Sequence, residues 1–242
     1  MTAVFSATVR DGVCRLARPE TRWLSTGHAG GEHRAPAAYN CTVPEGWGRT
    51  DLDAYVAERL AAAGFEADGP ALLTGVDQRH ARRARLGPVE AVATAGVSNP
   101  AALPVEGRKA GDGRHAGCGD DDPIHHAGTV NVVVGTTRAL APGALPNLLT
   151  VAAEAKAATL LELVGVPGTT TDAVVAACDP AGDPARFSGS ATAVGGAARA
   201  CVRDAVAASL HARHPDGEYE RESGVVTDER AALSELPTSP GD

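Results

Sequence analysis

Between residues 128 and 178 the chain runs as an apolar strand, a long helix and a second apolar strand. "GTVNVVVGTT" (128–137) reads as a strong strand. "APGALPNLLTVAAEAKAATLLELVG" (141–165) has a helical stripe of Leu145, Leu148, Leu149 and Ala152, with Pro142 near its start. "GTTTDAVVAAC" (168–178) is a Gly/Thr turn entering another buried strand. A last helix covers 190–214, with Val194, Ala198, Cys201, Ala205 and Leu210 on one side. Two such helices need a sheet to cover.

The first half supplies more strands. Residues 3–18 read as a hairpin around Asp11-Gly12. Residues 22–31 are a short apolar stretch running into a Gly-rich turn, and 37–44, 70–77 and 89–100 read as strands. "TDLDAYVAERLAAAG" (50–64) is an amphipathic helix, with Thr50 or Asp51 to cap its start and Gly64 its end. "QRHARRARLG" (78–87) carries four arginines. Residues 101–124 lack periodicity and are rich in Gly, Asp and Pro, so a flexible surface loop is expected. From 215 to 242 the chain is acidic and aperiodic, as a disordered tail is. The expected architecture is a single layered α/β (α+β) domain over 1–214, a mixed β-sheet with long helices packed on it.

Composition narrows the function. The net charge of −8 disfavours non-specific nucleic-acid binding, which needs clustered basic residues. Lysine occurs only at positions 109 and 156, and the acidic, lysine-poor makeup suits a salt-adapted protein. No apolar run reaches the roughly 18 residues of a membrane span, and the N-terminus lacks a secretory pattern. A cytoplasmic location is expected. Five cysteines without CxxC spacing read as reduced core thiols.

Several groups could carry chemistry. His125 and His126 follow Asp120, Asp121 and Asp122, but no known zinc spacing is present. Adjacent residues on a strand point to opposite faces, so a solvated acidic loop end is preferred to a metal site. "LSTGHAGG" (24–31) offers Ser25, Thr26 and His28 as nucleophile, polar contact and base, or as ordinary turn chemistry. "LLTGVD" with Thr74 and Asp77, "ATAGVSNP" with Ser98 and Asn99, and the two Gly-Thr stretches all place small polar groups at strand ends. Their number suggests a pocket of neutral hydrogen-bonding groups. Glu154 and Lys156, two apart on a helix, do not face each other, and either a pocket or a solvated face accommodates them.

Taken in order, "RWLSTGHAGG", "AYNCTV", "LLTGVD", "TAGVSNP", "GTVNVVVGTTRALAPGAL", "AAEAKAATLLELVGV", "GTTTDAVV" and "SGSATAVGGAARACVRDAV" resemble the adenosylcobinamide amidohydrolases, in a salt-adapted archaeal form. Gly128, Thr129 and Asn131 match that family's Gly-Thr-x-Asn strand. "VAAEAK" matches its helical segment with Ala153 where threonine is usual, and "GTTTDA" matches its Gly-Thr-Gly-Thr-Asp turn with Thr170 where glycine is usual. The resemblance covers roughly 15–210 apart from 101–124.

The resemblance implies hydrolysis of the amide joining aminopropanol to the corrin's propionyl arm. Adenosylcobinamide is the substrate, and adenosylcobyric acid and aminopropanol, free or phosphorylated, are the products of this salvage step. The cobalt belongs to the corrinoid, and no protein-bound metal or cofactor is required. Thr129 is cast as nucleophile or anchor, Asn131 as oxyanion donor, Glu154 with Lys156 as acid–base or orienting groups, and Asp172 as their positioner. Ser25, Thr26, His28, Asn40, Thr74, Asp77, Ser98, Asn99, Thr169 and Thr171 are the expected substrate contacts. The rivals are a corrinoid-binding protein without hydrolysis and an amidohydrolase acting on a peptide or acyl-amino acid. Homo-oligomerisation is left open. The succession of elements is also similar, more weakly, to that of N-terminal-nucleophile aminopeptidases and ornithine acetyltransferases, which cleave themselves to free the nucleophile.

Overall fold

The structure, a computed structural model, describes residues 3–44, 47–104, 128–219 and 224–227. The acidic run and the histidine pair at 120–126 lie outside the described residues, as does most of the expected loop and tail.

The elements follow one another as β1 (Ser6–Arg10), β2 (Val13–Ser25), β3 (Gly31–Thr42), α1 (Leu52–Ala62), β4 (Ala71–Thr74), a single turn of 3₁₀ helix (Gln78–His80), β5 (Arg82–Leu86), β6 (Val89–Ala95), β7 (Ala101–Ala102), β8 (Val130–Thr136), β9 (Ala139–Leu140), α2 (Ala144–Val164), β10 (Ala173–Cys178), β11 (Pro184–Ala185), α3 (Ala193–Arg213) and β12 (Val225–Val226). Among the described residues the main sheet is mixed and eight-stranded, ordered β4-β3-β2-β10-β8-β6-β5, with β1 beside β2. β8 and β10 are parallel, joined through α2, while β6 and β2 flank them antiparallel.

Local chemistry explains the boundaries. Asp11 and Gly12 both adopt positive φ, the two-residue turn that matches strand twist. Asp51 caps α1 by accepting from the Ala54 amide, and Thr192 caps α3 by accepting from Gly195. Gly165, left-handed at φ 75°, ends α2.

β2 and β3 are longer than most strands because they bend between two layers. The register shifts between Ala17 and Thr21, where Pro19 lies in a bulge opposite Pro36. Neither proline has an amide to give to the ladder, so each is tolerated only at such an irregularity. Beyond the bend the sheet turns back over itself. Leu72 of β4 therefore packs with Val133 and Val175 of the central strands, together with Phe5, Leu16 and Trp23.

Alternation assigns the faces. Val130, Val132 and Val134 of β8, and Val174 and Ala176 of β10, pack under α2 and α3. Val133, Val175 and Ala177 face the inner space beneath the folded-back strands. On the outer side of those strands, Val13, Ala37, Tyr39 and Cys41 pack against Leu60 and Ala63 at the end of α1. The layers thus run helix, sheet, sheet, helix.

Three segments differ from the sequence expectation. "RRARL" forms edge strand β5, and the fully buried Glu90 on β6 draws in Arg83 and Arg85. Residues 101–102, at the start of the expected loop, form β7. Val225–Val226 from the expected tail pairs with it in parallel.

Candidate functional site

The N-terminal ends of the parallel pair β8 and β10 meet the C-terminal ends of β6 and β2. Thr129, immediately before β8, is buried, and its Oγ lies 2.8 Å from Oγ of the exposed Thr171. By alternation along β8, Thr129 lies on the side of Asn131 and Val133, the inner face.

Asp172, in the turn that leads into β10, gathers the same strand ends. One of its oxygens accepts from the Val130 amide at 2.8 Å and from the Thr169 hydroxyl. The other accepts from the Thr169 amide at 3.0 Å and from the Lys156 ammonium. A carboxylate offers about four acceptor positions, so Asp172 is saturated. Lys156 and Asp172 each expose only 10% of their side chains. Gly168 is required here, because a Cβ would lie 2.6 Å from the Asp172 carboxylate.

Gly128 is fixed by a different contact. A Cβ on it would stand 2.3 Å from the Ser98 amide nitrogen and 2.5 Å from that of Asn99. Asn99 in turn accepts from the Thr170 amide at 3.1 Å through its carbonyl, and Pro100 bridges to Thr169. The 97–100 stretch and the 168–172 turn therefore hold Gly128-Thr129 between them.

Behind Thr129 runs a buried amide chain. Asn131 Nδ2 donates to Asn40 Oδ1 at 2.9 Å and to the Leu73 carbonyl at 2.8 Å, and Asn40 Nδ2 donates to Thr94 Oγ at 2.9 Å. This corrects the oxyanion-donor role expected of Asn131. Both its amide hydrogens are already engaged, and a flipped side chain would set oxygen against oxygen. Asn131 and Asn40 instead tie the folded-back strands to the central ones.

The remaining expected residues divide. Thr26 closes the ladder between β2 and β10 through the Val174 backbone. Ser25 accepts from the Gly27 amide. His28 Nε2 meets Asp53 at 2.8 Å, on the turn that follows β2 at this end of the sheet. Thr74 and Asp77 are not brought to the site: they accept from the Val76 and Arg79 amides and shape the turn after β4. Glu154 is corrected as well. It is exposed, on the far side of α2 from Lys156, and its partner is Arg199 of α3 at 3.7 Å. Thr94, Asp53 and the Leu73 carbonyl were not picked out in sequence. Of these only Thr94 left a signal, as a polar residue inside an apolar strand.

The described thiols take no part. Burial pushes Cys14 and Cys201 up to about 11 and Cys41 up to about 12, so these thiols stay protonated and poorly nucleophilic. Among the described residues no helix is long and apolar enough to cross a membrane.

Comparison with known proteins gives these residues a setting. The family model for adenosylcobinamide amidohydrolase matches residues 2–218. A protein named adenosylcobinamide amidohydrolase from Halobacterium salinarum is 55% identical over 235 residues, 95% of this chain and 99% of its own. One of the same name from Methanosarcina mazei is 27% identical over 200 residues, 78% of this chain and 90% of its own. Among solved structures, a Burkholderia beta-aminopeptidase aligns over 85% of this chain and 80% of its own with a TM-score of 0.39 and 16% identity. A family model spanning nearly the whole described fold, together with a relative sharing more than half of all residues, means that the chain belongs to the adenosylcobinamide amidohydrolase family.

Proposed function

We propose that the enzyme hydrolyses the amide between aminopropanol and the propionyl arm of adenosylcobinamide, with Thr129 as the nucleophile. The observation that carries the assignment of Thr129 is its hydroxyl contact with Thr171 at a strand end whose backbone is held by Asp172. Thr129 Oγ attacks the amide carbonyl, and an ester forms between the threonine and the corrin arm. The C–N bond breaks, and the Thr129 proton, relayed through Thr171 Oγ, leaves on the aminopropanol nitrogen. Water then cleaves the ester, releasing adenosylcobyric acid and restoring the hydroxyl. The cobalt travels with the substrate. The polar groups Ser98, Asn99 and His28 near this end of the sheet suit a substrate fringed with neutral amides. Buried, unpaired thiols at Cys14, Cys41, Cys178 and Cys201 support action in the reducing cytoplasm.

The test is turnover of adenosylcobinamide to adenosylcobyric acid by wild type, Thr129→Ser and Thr129→Ala. Wild-type and Thr129→Ser turnover, with a Thr129→Ala variant that binds corrinoid but forms no product, is the expected result. Product formation by Thr129→Ala at the wild-type rate overturns the assignment, and absence of product from wild type overturns the reaction.

A further inference from the structure

We infer that Lys156 and Asp172 are positioning residues that set the Thr129–Thr171 contact through the backbone and touch no substrate. The inference rests on Thr129 being the nucleophile.

Its basis is connectivity. The amide that Asp172 holds belongs to Val130, so it is the peptide nitrogen directly after Thr129. Asp172 itself directly follows Thr171. One carboxylate therefore fixes the backbone on both sides of the hydroxyl pair, one residue from each. The same carboxylate gathers Thr169 through its amide and hydroxyl, which closes the 168–172 turn.

Lys156 supplies what the turn cannot. It sits among the buried residues of α2, beside Ala152, Ala155, Thr159 and Leu160, and pairs with Asp172 where solvent hardly reaches. An ion pair there anchors the turn to the helix that covers β10. Since Asp172 has no acceptor position left, it is not placed to take a proton from Thr129. The Lys156 ammonium, carried by α2, is paired with Asp172, whereas the Thr129 hydroxyl is paired with Thr171. Asp172 therefore acts on Thr129 through the Val130 amide, and Lys156 acts through Asp172.

A merely structural ion pair predicts loss of stability alone, and a direct catalytic role predicts a changed pH profile. Positioning predicts neither. The experiment compares Lys156→Met, Asp172→Asn and Gly168→Ala with wild type for kcat, KM, the pH dependence of kcat, and melting temperature. Gly168→Ala keeps both charges and pushes a methyl group against the Asp172 carboxylate, so it tests the arrangement even if a charge-removing variant does not fold. The expected result is a fall in kcat of about 100-fold, the scale of a 1 Å misplacement, with KM within about threefold and the shape of the pH profile kept. Unchanged kcat in the folded variants overturns the inference, as does a loss confined to KM or the disappearance of one limb of the pH profile. Thr129→Ala assayed alongside separates the two claims. If it retains turnover, the nucleophile assignment fails; if it is inactive while Lys156→Met and Gly168→Ala keep kcat, only the positioning role fails.

Discussion

Gly128→Ala isolates the contact that holds the backbone of Thr129, the proposed nucleophile. Cβ atoms essentially never approach within 3.0 Å, and the added methyl would sit 2.3 Å from the Ser98 nitrogen and 2.5 Å from that of Asn99. Both atoms are backbone, so no side-chain rotation relieves the clash. The 97–100 stretch or Gly128 itself must move by at least 0.7 Å. Overpacking of this kind costs about 1–3 kcal/mol. At about 2–4 °C per kcal/mol for a chain of this size, melting falls by about 2–12 °C. Thr129 is the next residue, and a displacement of that size at a reacting group costs on the order of 100-fold in rate. Differential scanning fluorimetry and a product-formation assay on adenosylcobinamide read the two effects. The control is Gly48→Ala, exposed, outside the left-handed region and with nothing within 4 Å of the new methyl. It is expected to stay within about 0.5 kcal/mol of wild type. A Gly128→Ala protein with wild-type melting and kcat within about twofold would show that the Ser98–Asn99 approach does not position Thr129, and the reasoning would fail.

Three further outcomes follow from the same geometry. Glu154→Gln removes only an exposed pair with Arg199, worth about 0.2–1 kcal/mol, so turnover is unchanged; a tenfold loss would return Glu154 to the chemistry. With thiols raised to about 11 and 12, iodoacetamide at pH 8 leaves Cys14, Cys41 and Cys201 unmodified in the folded protein, and denaturation exposes them; peptide mapping that finds them alkylated in native, active enzyme contradicts this. A chain ending at Tyr219 loses the pairing of Val225–Val226 with Ala101–Ala102, whose Ala101 amide reaches the Gly168 carbonyl. Such a chain is expected to melt lower and turn over more slowly, and parity with full length in both would show that this pairing is idle.

The helices and the central strands were legible because their periodicity is set by burial. The expected 141–165 and 190–214 correspond to Ala144–Val164 and Ala193–Arg213, and 128–137 to Val130–Thr136. The bend in β2 and β3 was not legible. The expected segments 3–18, 22–31 and 37–44 leave out 19–21 and Pro36, whereas Pro19 and Pro36 lie across the same register shift inside two continuous strands. β5 was hidden for a related reason. A strand of "RRARL" carries three arginines, and two of them are drawn in by Glu90, buried on the neighbouring strand, which receives Arg83 and Arg85. Pairing across strands decides both cases, and single-residue propensity carries no trace of it.

At the site the sequence pointed to Thr129, Lys156, Thr171 and Asp172 and left open how they divide the work. The division depends on partners. In the turn before β10, Thr171 meets the Thr129 hydroxyl while Asp172 accepts from the Val130 amide. On a helix a two-residue step turns about 200°, so of Glu154 and Lys156 only one can meet the strand ends. The buried carboxylate of Asp172 selects the cation, and Glu154 is left to solvent and Arg199. Once that pair is fixed, Asp172 is saturated. The Thr129–Thr171 contact then stands near an asparagine whose two amide hydrogens are engaged. In the proposed mechanism the chemistry of amide attack therefore falls to hydroxyl groups, and the charged pair contributes by keeping them 2.8 Å apart.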